Sequence, residues 1–430
     1  MSVYINVDEL SQESRTKVHK DLEIKIVPKY GFATPKYVYP YEIVGDDLIL
    51  PFSYGSRRMR ISRPPRSSFP AMEVNCIIQP REEQKVVLKE ALTFLNRKGS
   101  VVISTFTGFG KTACAIKLAS QIGFRTLIIV NKLILMKQWE QSVLKFCPDA
   151  VVKRLTPRTP RQECDFYIMN AQNVEKMPKG YFSDVGAVIV DEAHLIMAET
   201  LSRSLQHVFP RYLIGLTATP YRPDGLDSLL EFYFGKFKIV RKLYREHKVY
   251  KVETGFRPKV EYAKNGKINW GVVLDSQAND ENRNELIIRL LQHFSDRKFL
   301  VMVKRISQGE YLVERLKECG ESVTSLVGKK QEFDSDSRIL IGTTQKVGVG
   351  FDHPGLDALL LGADVEEYFI QYLGRVFRTR TGVPIILDLV DINPLLDKHF
   401  RTRRKCYQEH GGTVRTFDLR QLNSEEETKE

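Results

Sequence analysis

Short apolar segments alternate with segments of helical periodicity from about Ile77 onward, and this alternation constrains the fold more than any other feature of the sequence. In the first series, helices are expected after Lys111 and near Trp139. The apolar segments of this series are Val101–Ser104, Thr126–Val130, Ala187–Asp191 and Tyr212–Leu216. Strands that are apolar along nearly their whole length are typical of a parallel sheet with helices on both faces. The alternation therefore predicts an α/β unit.

A second series of the same kind follows, with helical patterns such as Gly309–Glu318 between its strands. Its apolar segments are Phe299–Val303, Ser322–Leu326, Ile339–Gly342, Ala358–Leu361 and Pro384–Asp388. Between the two series, Asn265-Gly266 stands between short apolar segments, which indicates a β-hairpin. We therefore expect two α/β units joined by a connector.

The first seventy residues have a different pattern. Leu22 to Tyr30 alternates apolar and polar residues, and two apolar segments flank Gly45-Asp46-Asp47, a hairpin signal. Five arginines then surround Pro64-Pro65, between Arg57 and Arg66, and they form either a duplex-facing patch or a solvated linker. The predicted domains are a β-rich accessory domain with a basic linker at 1–70, a first α/β domain at 71–243, a connector at 244–277, a second α/β domain at 278–420 and an acidic tail at 421–430.

Composition excludes several classes of protein. No apolar run approaches the roughly 18 residues that span a bilayer, and the start lacks the apolar stretch of a signal peptide. The six cysteines include no Cys-x-x-Cys pair, which disfavours a disulfide framework, a zinc ribbon and an iron–sulfur cluster. We expect an intracellular protein that is not secreted and has no membrane partner. The formal net charge of +12 permits a polyanionic partner.

A glycine-rich stretch, Ser104 to Thr112, lies between a predicted strand and a predicted helix. Gly108 and Gly110 allow the backbone amides to face a phosphate at the positive end of the helix. Lys111 can then reach the β- and γ-phosphates, and the Thr112 hydroxyl can bind Mg²⁺. Thr105 stands where the general pattern has its first glycine, so a simple glycine turn is the alternative. The position between strand and helix favours nucleotide binding.

Asp191-Glu192-Ala193-His194 follows an apolar strand, at the edge where open parallel sheets bind ligands. In the catalytic interpretation, Asp191 holds the metal and Glu192 orients and deprotonates a water molecule. The alternative is a surface carboxylate pair that caps a helix. The combination with Lys111 and Thr112 favours catalysis.

Further polar segments occupy corresponding positions. Thr217-Ala-Thr-Pro220 ends another strand, and Gln84 precedes the glycine-rich stretch by one helix, where its amide can read both edges of adenine. In the second series, a hydroxyl- and glycine-rich turn contains Thr343-Thr344 and Gly348 to Asp352. Gln371, Arg375 and Arg378 share one helix face, from which the two guanidiniums can act as arginine fingers. Each segment alone is weak evidence, but together and in this order they indicate a nucleotide-driven motor.

These blocks, in this order, resemble a superfamily 2 helicase with two RecA-like domains, over about residues 77–412. The stretch Thr217 to Leu226 resembles the XPB-like and UvsW-like branch, as do Asp388-Leu-Val-Asp391, His399-Phe-Arg and the segment from Tyr407 to Gly412. The chain is similar to the transcript-release helicases of poxviruses and their relatives in large DNA viruses. The resemblance implies an α/β fold of two tandem RecA-like, doubly wound parallel-sheet domains, with the β-rich accessory domain before them.

The resemblance also implies the roles of single residues. It implies ATP contacts at Gln84, Thr107, Gly108, Phe109, Gly110, Lys111, Thr112, Gly350 and Asp352, with Mg²⁺ at Thr112 and Asp191. It implies catalytic roles for Lys111, Asp191, Glu192, Gln371, Arg375 and Arg378. Coupling of the two domains is implied for His194, transmission of the nucleotide state for Thr217, Ala218 and Thr219, and nucleic-acid contacts for Asn131, Lys132, Thr343 and Thr344.

The function expected from these observations is that of an ATP-dependent helicase or translocase. The resemblance implies DNA rather than RNA, 3′→5′ travel and a role in viral transcription, with the transcription machinery as a partner. The sequence contains no Arg-Glu-Asp motif of the XPB kind. Two alternatives therefore stay open: a nucleic-acid-stimulated ATPase that releases transcripts without unwinding, and a non-catalytic binding or annealing module.

Overall fold

The computed structural model describes residues 1–26, 36–106, 108–196, 206, 208–218, 227–263, 266–330, 332–347, 353, 355–365, 369–377 and 382–422. The chain forms two compact units. One contains Met1–Thr105 and Phe109–Arg241, and the other contains Phe106–Gly108 and Lys242–Glu430. No helix among the described residues combines the length and apolar character needed to cross a bilayer.

The first unit begins with the accessory domain, which is built on two small antiparallel sheets. Its elements are β1 (Ser2–Asn6), α1 (Gln12–Asp21), β2 (Ile24–Ile26), β3 (Lys36–Val38), β4 (Glu42–Val44), β5 (Asp47–Pro51) and α2 (Phe52–Arg57). The strand orders are β1-β5-β4 and β2-β3. Gly45, with φ of +60°, forms the turn between β4 and β5, so the hairpin predicted around Gly45-Asp46-Asp47 is confirmed.

The rest of the first unit is a seven-stranded parallel sheet with helices between its strands, as predicted. The elements are α3 (Glu82–Lys98), β6 (Ser100–Thr105), α4 (Lys111–Ile122), β7 (Thr126–Val130), α5 (Leu133–Phe146), β8 (Val152–Arg154), β9 (Phe166–Asn170), β10 (Ala187–Val190), α6 (Ala193–Ile196), β11 (Tyr212–Thr217), α7 (Asp227–Phe234) and β12 (Lys238–Arg241). The strand order is β12-β6-β11-β10-β7-β9-β8. Strands β6, β11 and β10 are therefore consecutive, and their carboxyl ends meet at one edge.

Two arginines of the basic segment fasten the accessory domain to this sheet. The Arg63 guanidinium donates to the carbonyls of Leu95 and Asn96, both at 3.2 Å, at the end of α3. Arg66 donates to the carbonyl of Ile122 at 3.2 Å and lies 4.5 Å from the centre of the Phe124 ring. Arg63 and Arg66 thus contact other parts of the protein. Neither interpretation of the basic segment, a duplex-facing patch or a solvated linker, predicts these contacts.

The second unit is a second seven-stranded parallel sheet. Its elements are β13 (His247–Glu253), α8 (Trp270–Asn279), α9 (Glu281–His293), β14 (Phe299–Val303), α10 (Ile306–Glu318), β15 (Val323–Leu326), β16 (Ile339–Thr343), α11 (Thr344–Val347), β17 (Ala358–Leu361), α12 (Phe369–Val376), β18 (Ile385–Val390), α13 (Pro394–Glu409) and β19 (Gly412–Thr416). The strand order is β15-β16-β14-β17-β18-β13-β19. Four short 3₁₀ helices complete the described elements of both units: Val7–Glu9, Arg66–Ser68, Ala171–Lys176 and Leu419–Leu422.

The segment expected to be a connector contributes a strand to the second sheet. Strand β13 pairs in parallel with β18 on one side and with β19 on the other. At the predicted hairpin around Asn265-Gly266, the described residues form an antiparallel bridge between Tyr262 and Ile268, and the amides of Ala263 and Asn269 donate to the carbonyls of Lys267 and Glu261, both at 2.8 Å. Residues 264–265 lie outside the described part of the chain.

Candidate active site

The glycine-rich stretch forms a tight turn between β6 and α4. Gly108 and Gly110 have φ of +92° and +94°, in the region that glycine adopts without steric cost. Phe109, between them, is 1% exposed and fixes the turn to the protein interior. Because α4 begins at Lys111, its first-turn amides have no partner within the helix and can face an anion. Thr107 lies outside the described residues.

Lys111 lies within the same turn. Its Nζ donates to the carbonyl of Thr105 at 2.8 Å, which holds the ammonium over the glycine-rich loop. Thr112, the next residue of α4, is half-buried. Lysine, hydroxyl and amide donors therefore occur together at the start of α4, and this is the set of groups that binds a phosphate chain.

Gln84 lies against this turn from the first turn of α3. Its Nε2 donates to the Phe109 carbonyl at 2.8 Å, and its Oε1 accepts the Arg81 amide at 2.9 Å. Arg81 also donates to the Phe109 carbonyl. A primary amide has two hydrogens and two lone pairs on oxygen. One donor and one acceptor of Gln84 therefore remain for a ligand, in an orientation that the protein fixes.

Asp191 and Glu192 follow β10 at the same sheet edge. Asp191 Oδ2 accepts the indole N–H of Trp139 at 2.8 Å, and Asp191 Oδ1 accepts the Glu192 amide at 3.0 Å. Burial raises the pKa of Asp191 above its ordinary value, against the hydrogen bond from Trp139 and the charge of Lys111, which lower it. The charge of Lys111 and the Trp139 hydrogen bond therefore both favour the ionised form of Asp191.

Glu192 has a left-handed backbone, with φ of +47°, although it is not a glycine. Such residues are uncommon and often occur at functional sites. Glu192 Oε2 lies 3.4 Å from His194 Nδ1. The buried hydroxyl of Thr217, at the end of β11, lies 2.7 Å from the same nitrogen. These contacts link the ends of β10 and β11.

Two other predicted residues follow β7. Lys132 is exposed, and the buried Oδ1 of Asn131 has no hydrogen-bond partner among the described residues. Ala218 follows β11 and is half-buried. Thr219 lies outside the described residues.

In the second unit, Thr343 ends β16 and Thr344 begins α11. The Thr344 carbonyl accepts the Tyr372 hydroxyl at 3.2 Å, so α12 is tied to this turn. Arg375, on α12, is 7% exposed. Gln371 is in the same helix, but its side chain is outside the described part of the structure, as are Gly350, Asp352 and Arg378 entirely.

A buried ionic network surrounds the end of β18. Arg403 of α13 forms two hydrogen bonds with Asp388, at 2.9 and 2.8 Å, and a third with Asp364 at 2.8 Å. His399 Nδ1 lies 2.6 Å from Asp364, and Tyr407 donates to Asp388 at 2.7 Å. Burial acts to raise the pKa of Asp364, but the His399 hydrogen bond and the Arg403 charge outweigh it, so this pKa is lower than usual.

Sequence reasoning missed the roles of Trp139 and Arg81. Trp139 is 2% exposed, and a buried indole N–H needs an acceptor, so its apolar surroundings on α5 were the available signal. Which acceptor it finds depends on the packing of α5 against β10. Arg81 gives no such signal in the sequence.

Residues 77–222 match the family described as Type III restriction enzyme, res subunit. The chain is 42% identical to "Putative helicase 161L" of Invertebrate iridescent virus 6, over 97% of this chain and 100% of that protein. It is 33% identical to "Putative helicase 055L" of Frog virus 3, over 86% of each chain.

A solved structure of S. cerevisiae Dbp5 (L327V), bound to RNA and ADP BeF3, has a similar fold. It matches with a TM-score of 0.57 and 13% sequence identity, over 80% of this chain and 92% of that one. At this identity the likeness concerns the fold, and it agrees with the two parallel sheets described above. The full-length viral likeness and the tandem RecA-like sheets together show that the chain belongs to the superfamily 2 helicases of large DNA viruses, a family of ATP-dependent enzymes that act on nucleic acids.

Proposed function

We propose that this protein hydrolyses ATP, with Mg²⁺, at the carboxyl edge of the first sheet and uses the reaction to move along DNA or to separate its strands. One observation carries the proposal. The ends of three consecutive strands bring together Lys111 after β6, Thr217 on β11 and the Asp191–Glu192 pair after β10. A cationic group and two carboxylates at one sheet edge are what phosphoryl transfer to water requires, and Thr217 places a hydroxyl beside them.

The residues fit a magnesium-bound nucleotide. The glycine turn precedes the first turn of α4, where backbone amides can face an anion, and the charge of Lys111 acts to lower the pKa of Asp191. Lys111 and the amides of residues 108–112 would hold the phosphates, and Thr112 with Asp191 would hold the metal. Gln84 would read the base with its remaining donor and acceptor. When bound, MgATP supplies the phosphoanhydride bond whose cleavage drives movement.

Glu192 is the group we assign to the attacking water. Its carboxylate would orient the water and accept a proton from it, and His194 lies 3.4 Å from this carboxylate. Because Thr217 contacts the same His194 nitrogen, His194 connects the Glu192 carboxylate to the end of β11. We assign His194, Thr217, Ala218 and Thr219 to coupling between the nucleotide and the nucleic acid.

The second unit would supply the remaining groups. We assign arginine-finger roles to Arg375 and Arg378, a catalytic contact to Gln371, and nucleotide contacts to Gly350 and Asp352. The turns at Asn131–Lys132 and Thr343–Thr344 would hold the nucleic-acid backbone. Such binding is nearly independent of base sequence and weakens with salt.

DNA as the substrate, 3′→5′ travel and a role in viral transcription rest on the resemblance of the motifs to the XPB-like branch. RNA remains the competing polymer, since the yeast structure of similar fold contains RNA. The ATPase rate should be measured with single-stranded DNA, duplex DNA, forked DNA and RNA, each at two salt concentrations. We expect the largest stimulation with DNA, and less of it at higher salt. Stimulation by RNA alone would contradict the DNA assignment.

The Lys111→Ala variant tests the nucleotide site itself. We expect it to lose ATPase activity, and a variant with unchanged activity would contradict the proposed site. A Glu192→Gln variant that retained full biological activity would favour a non-catalytic module.

A second candidate function is transcript release without unwinding, which the missing Arg-Glu-Asp motif favours. Strand displacement from a forked duplex and release of RNA from a stalled transcription complex should be measured side by side. Release with no strand displacement would support this second candidate.

A further inference from the structure

Several cations lie at the amino edge of the first sheet, opposite the edge that carries the proposed ATP site. Strands β12, β6 and β11 are consecutive and parallel, so their first residues lie side by side. Lys236 lies just before β12, and Arg211 lies directly before β11. Arg97 and Lys98 end α3, just before β6. The side chains of Arg97, Lys98 and Lys236 are exposed.

Three arginines surround the ring of Tyr212, the first residue of β11. The guanidinium carbons of Arg63 and Arg211 lie 5.7 and 5.6 Å from the centre of this ring. Arg66 donates to the Tyr212 hydroxyl at 3.3 Å. Burial acts to raise the pKa of Tyr212, but the hydrogen bonds and charges of Arg211 and Arg66 outweigh it, so this pKa is lower than usual. The electrostatic potential around Tyr212 is therefore positive.

These cations lack a carboxylate that would balance them. We call the six of them the basic band: Arg63, Arg66, Arg97, Lys98, Arg211 and Lys236. Within the described part of the chain, none of the six forms an ion pair. Asp184, which precedes β10 at the same edge, is instead paired with Arg125 and Arg161. Like charges that are held together repel one another, so an anionic ligand is attracted to this edge.

The length and chemistry of the basic band fit a nucleic-acid duplex. The band extends from β12 to the Phe124 ring, which lies just before β7 and 4.5 Å from the Arg66 guanidinium. Because neighbouring strands lie about 4.8 Å apart, the four spacings from β12 to β7 make the band about 20 Å long. About 20 Å of duplex carries roughly 12 phosphates. The rings that the arginines contact, Tyr212 and Phe124, are buried and cannot stack on a base.

We propose that the basic band holds the phosphate backbone of duplex DNA, as a second nucleic-acid surface at the sheet edge opposite the ATP site. The inference rests on the proposed function in one respect, since it takes DNA as the substrate. All six cations belong to the first unit, so this contact requires no group from the second unit. The turns assigned above to the nucleic-acid backbone would then hold a different part of the same substrate.

The test measures the binding of the full-length chain to duplex DNA of mixed sequence, without nucleotide, at a series of salt concentrations. The variant Arg97→Gln/Lys98→Gln/Lys236→Gln removes three exposed cations of the band. Each phosphate contact contributes about 0.9 to the slope of log K against log salt concentration. We therefore expect the slope to become less steep by about 2 to 3, and the affinity at low salt to fall about 10-fold or more. Each single substitution should change the slope by about 1, which keeps the test decisive if the triple variant folds poorly.

The matched control is Lys89→Gln/Lys317→Gln/Lys405→Gln, which removes the same charge from exposed positions outside the band. It should keep the slope of the parent. An equal change of slope in both triple variants would show an effect of net charge alone and would overturn the inference. An unchanged slope in the band variant would overturn it as well, and would leave the proposed ATPase intact. Since binding is measured without nucleotide, a failure of the proposed ATPase would not alter the result.

A single DNA strand of the same length is the second ligand. Phe237, which is 54% exposed beside Lys236, is a surface on which a base of a single strand can stack. We expect the band substitutions to change the slope more for the duplex than for the single strand. A change confined to the single strand would overturn the assignment to duplex DNA.

Discussion

The indole N–H of Trp139 donates to the Asp191 carboxylate across 2.8 Å, joining α5 to the end of β10. The two residues are 52 positions apart in the sequence. Partners of this kind orient metal-binding carboxylates and keep them ionised. Trp139 therefore supports the group that we assign to Mg²⁺, although it does not lie at the sheet edge itself.

Replacement of Trp139 by Phe should weaken the binding of Mg²⁺ that the ATPase reaction needs. The ring volume is largely kept, but Asp191 loses the donor that lowers its pKa. We expect the Mg²⁺ concentration for half-maximal ATPase to rise about 10-fold or more. The measurement is a Mg²⁺ titration of the ATPase rate at saturating ATP. An unchanged titration curve would show that Trp139 serves packing alone.

The contact between Thr217 and His194 predicts a separation of two activities. In Thr217→Val, the buried His194 nitrogen loses a hydroxyl 2.7 Å away, while the phosphate loop is untouched. We expect basal ATPase within about twofold of the parent and nucleic-acid stimulation reduced about 10-fold, since one buried hydrogen bond contributes roughly 1–1.5 kcal/mol. Thr217→Ser keeps the hydroxyl and is the control. Equal behaviour of the two variants would contradict this role.

Arg63 should be required for the accessory domain to stay attached. Arg63→Ala removes the donors to the carbonyls of Leu95 and Asn96, and we expect a loss of about 1–3 kcal/mol in the free energy of unfolding. The control is Arg58→Ala, which removes the same charge from a side chain that is 60% exposed. Urea denaturation and limited proteolysis of the accessory domain measure the effect. Equal stability of the two variants would argue against docking through Arg63.

Arg403 should be essential for the stability of the second unit. Arg403→Leu leaves Asp388, which is fully buried, without its cation, and we expect a loss of about 3–5 kcal/mol. The control is Arg401→Leu on the same helix, where the side chain is 77% exposed. Urea denaturation followed by the fluorescence of Trp270, which stacks on His399, reports on this region. A loss no larger than that of the control would contradict the importance of the network.

The lowered pKa of Asp364 predicts that the free energy of unfolding decreases in acid. Its pKa is lower in the folded chain than in the unfolded chain, so its contribution is complete above the unfolded pKa of about 3.9 and is lost as pH falls through the folded pKa. Asp364→Asn should be less stable at pH 6 and should change less between pH 6 and pH 3. Urea midpoints at a series of pH values test this. If the urea midpoint of the variant falls with pH as steeply as that of the parent, Asp364 does not cause the loss of stability in acid.

The sequence was sufficient for the central strands and for the order of the motifs. Strands such as Phe299–Val303 and Ala358–Leu361 are buried on both faces, so their boundaries coincide with uninterrupted apolar runs. Strand β13 was missed because charged residues interrupt it, and α1 was missed because only Val18 of its ten residues is buried. Polar composition hides both elements from a search for apolar periodicity.

The motif residues of the first sheet edge could be found because short spacings mark them. The residues that hydrogen-bond to these motif residues could not be found in the same way. Trp139 and Asp191, or Arg81 and Phe109, are joined only when distant elements pack together, 52 and 28 positions apart. Neither pair produces a recognisable pattern in a single sequence. An apolar helix such as α5 or a basic segment is common for other structural reasons, so the donor residue does not stand out.

Gln84 has a consequence for attempts to redesign the chain. Its amide both caps α3, through Arg81, and braces the glycine-rich turn through Phe109. A substitution at Gln84, which we propose reads the base, would therefore also release the start of a helix and the loop that we propose holds the phosphates. Under that assignment, base preference and loop shape are linked through one side chain, so an engineered nucleotide specificity would need compensating changes at both contacts.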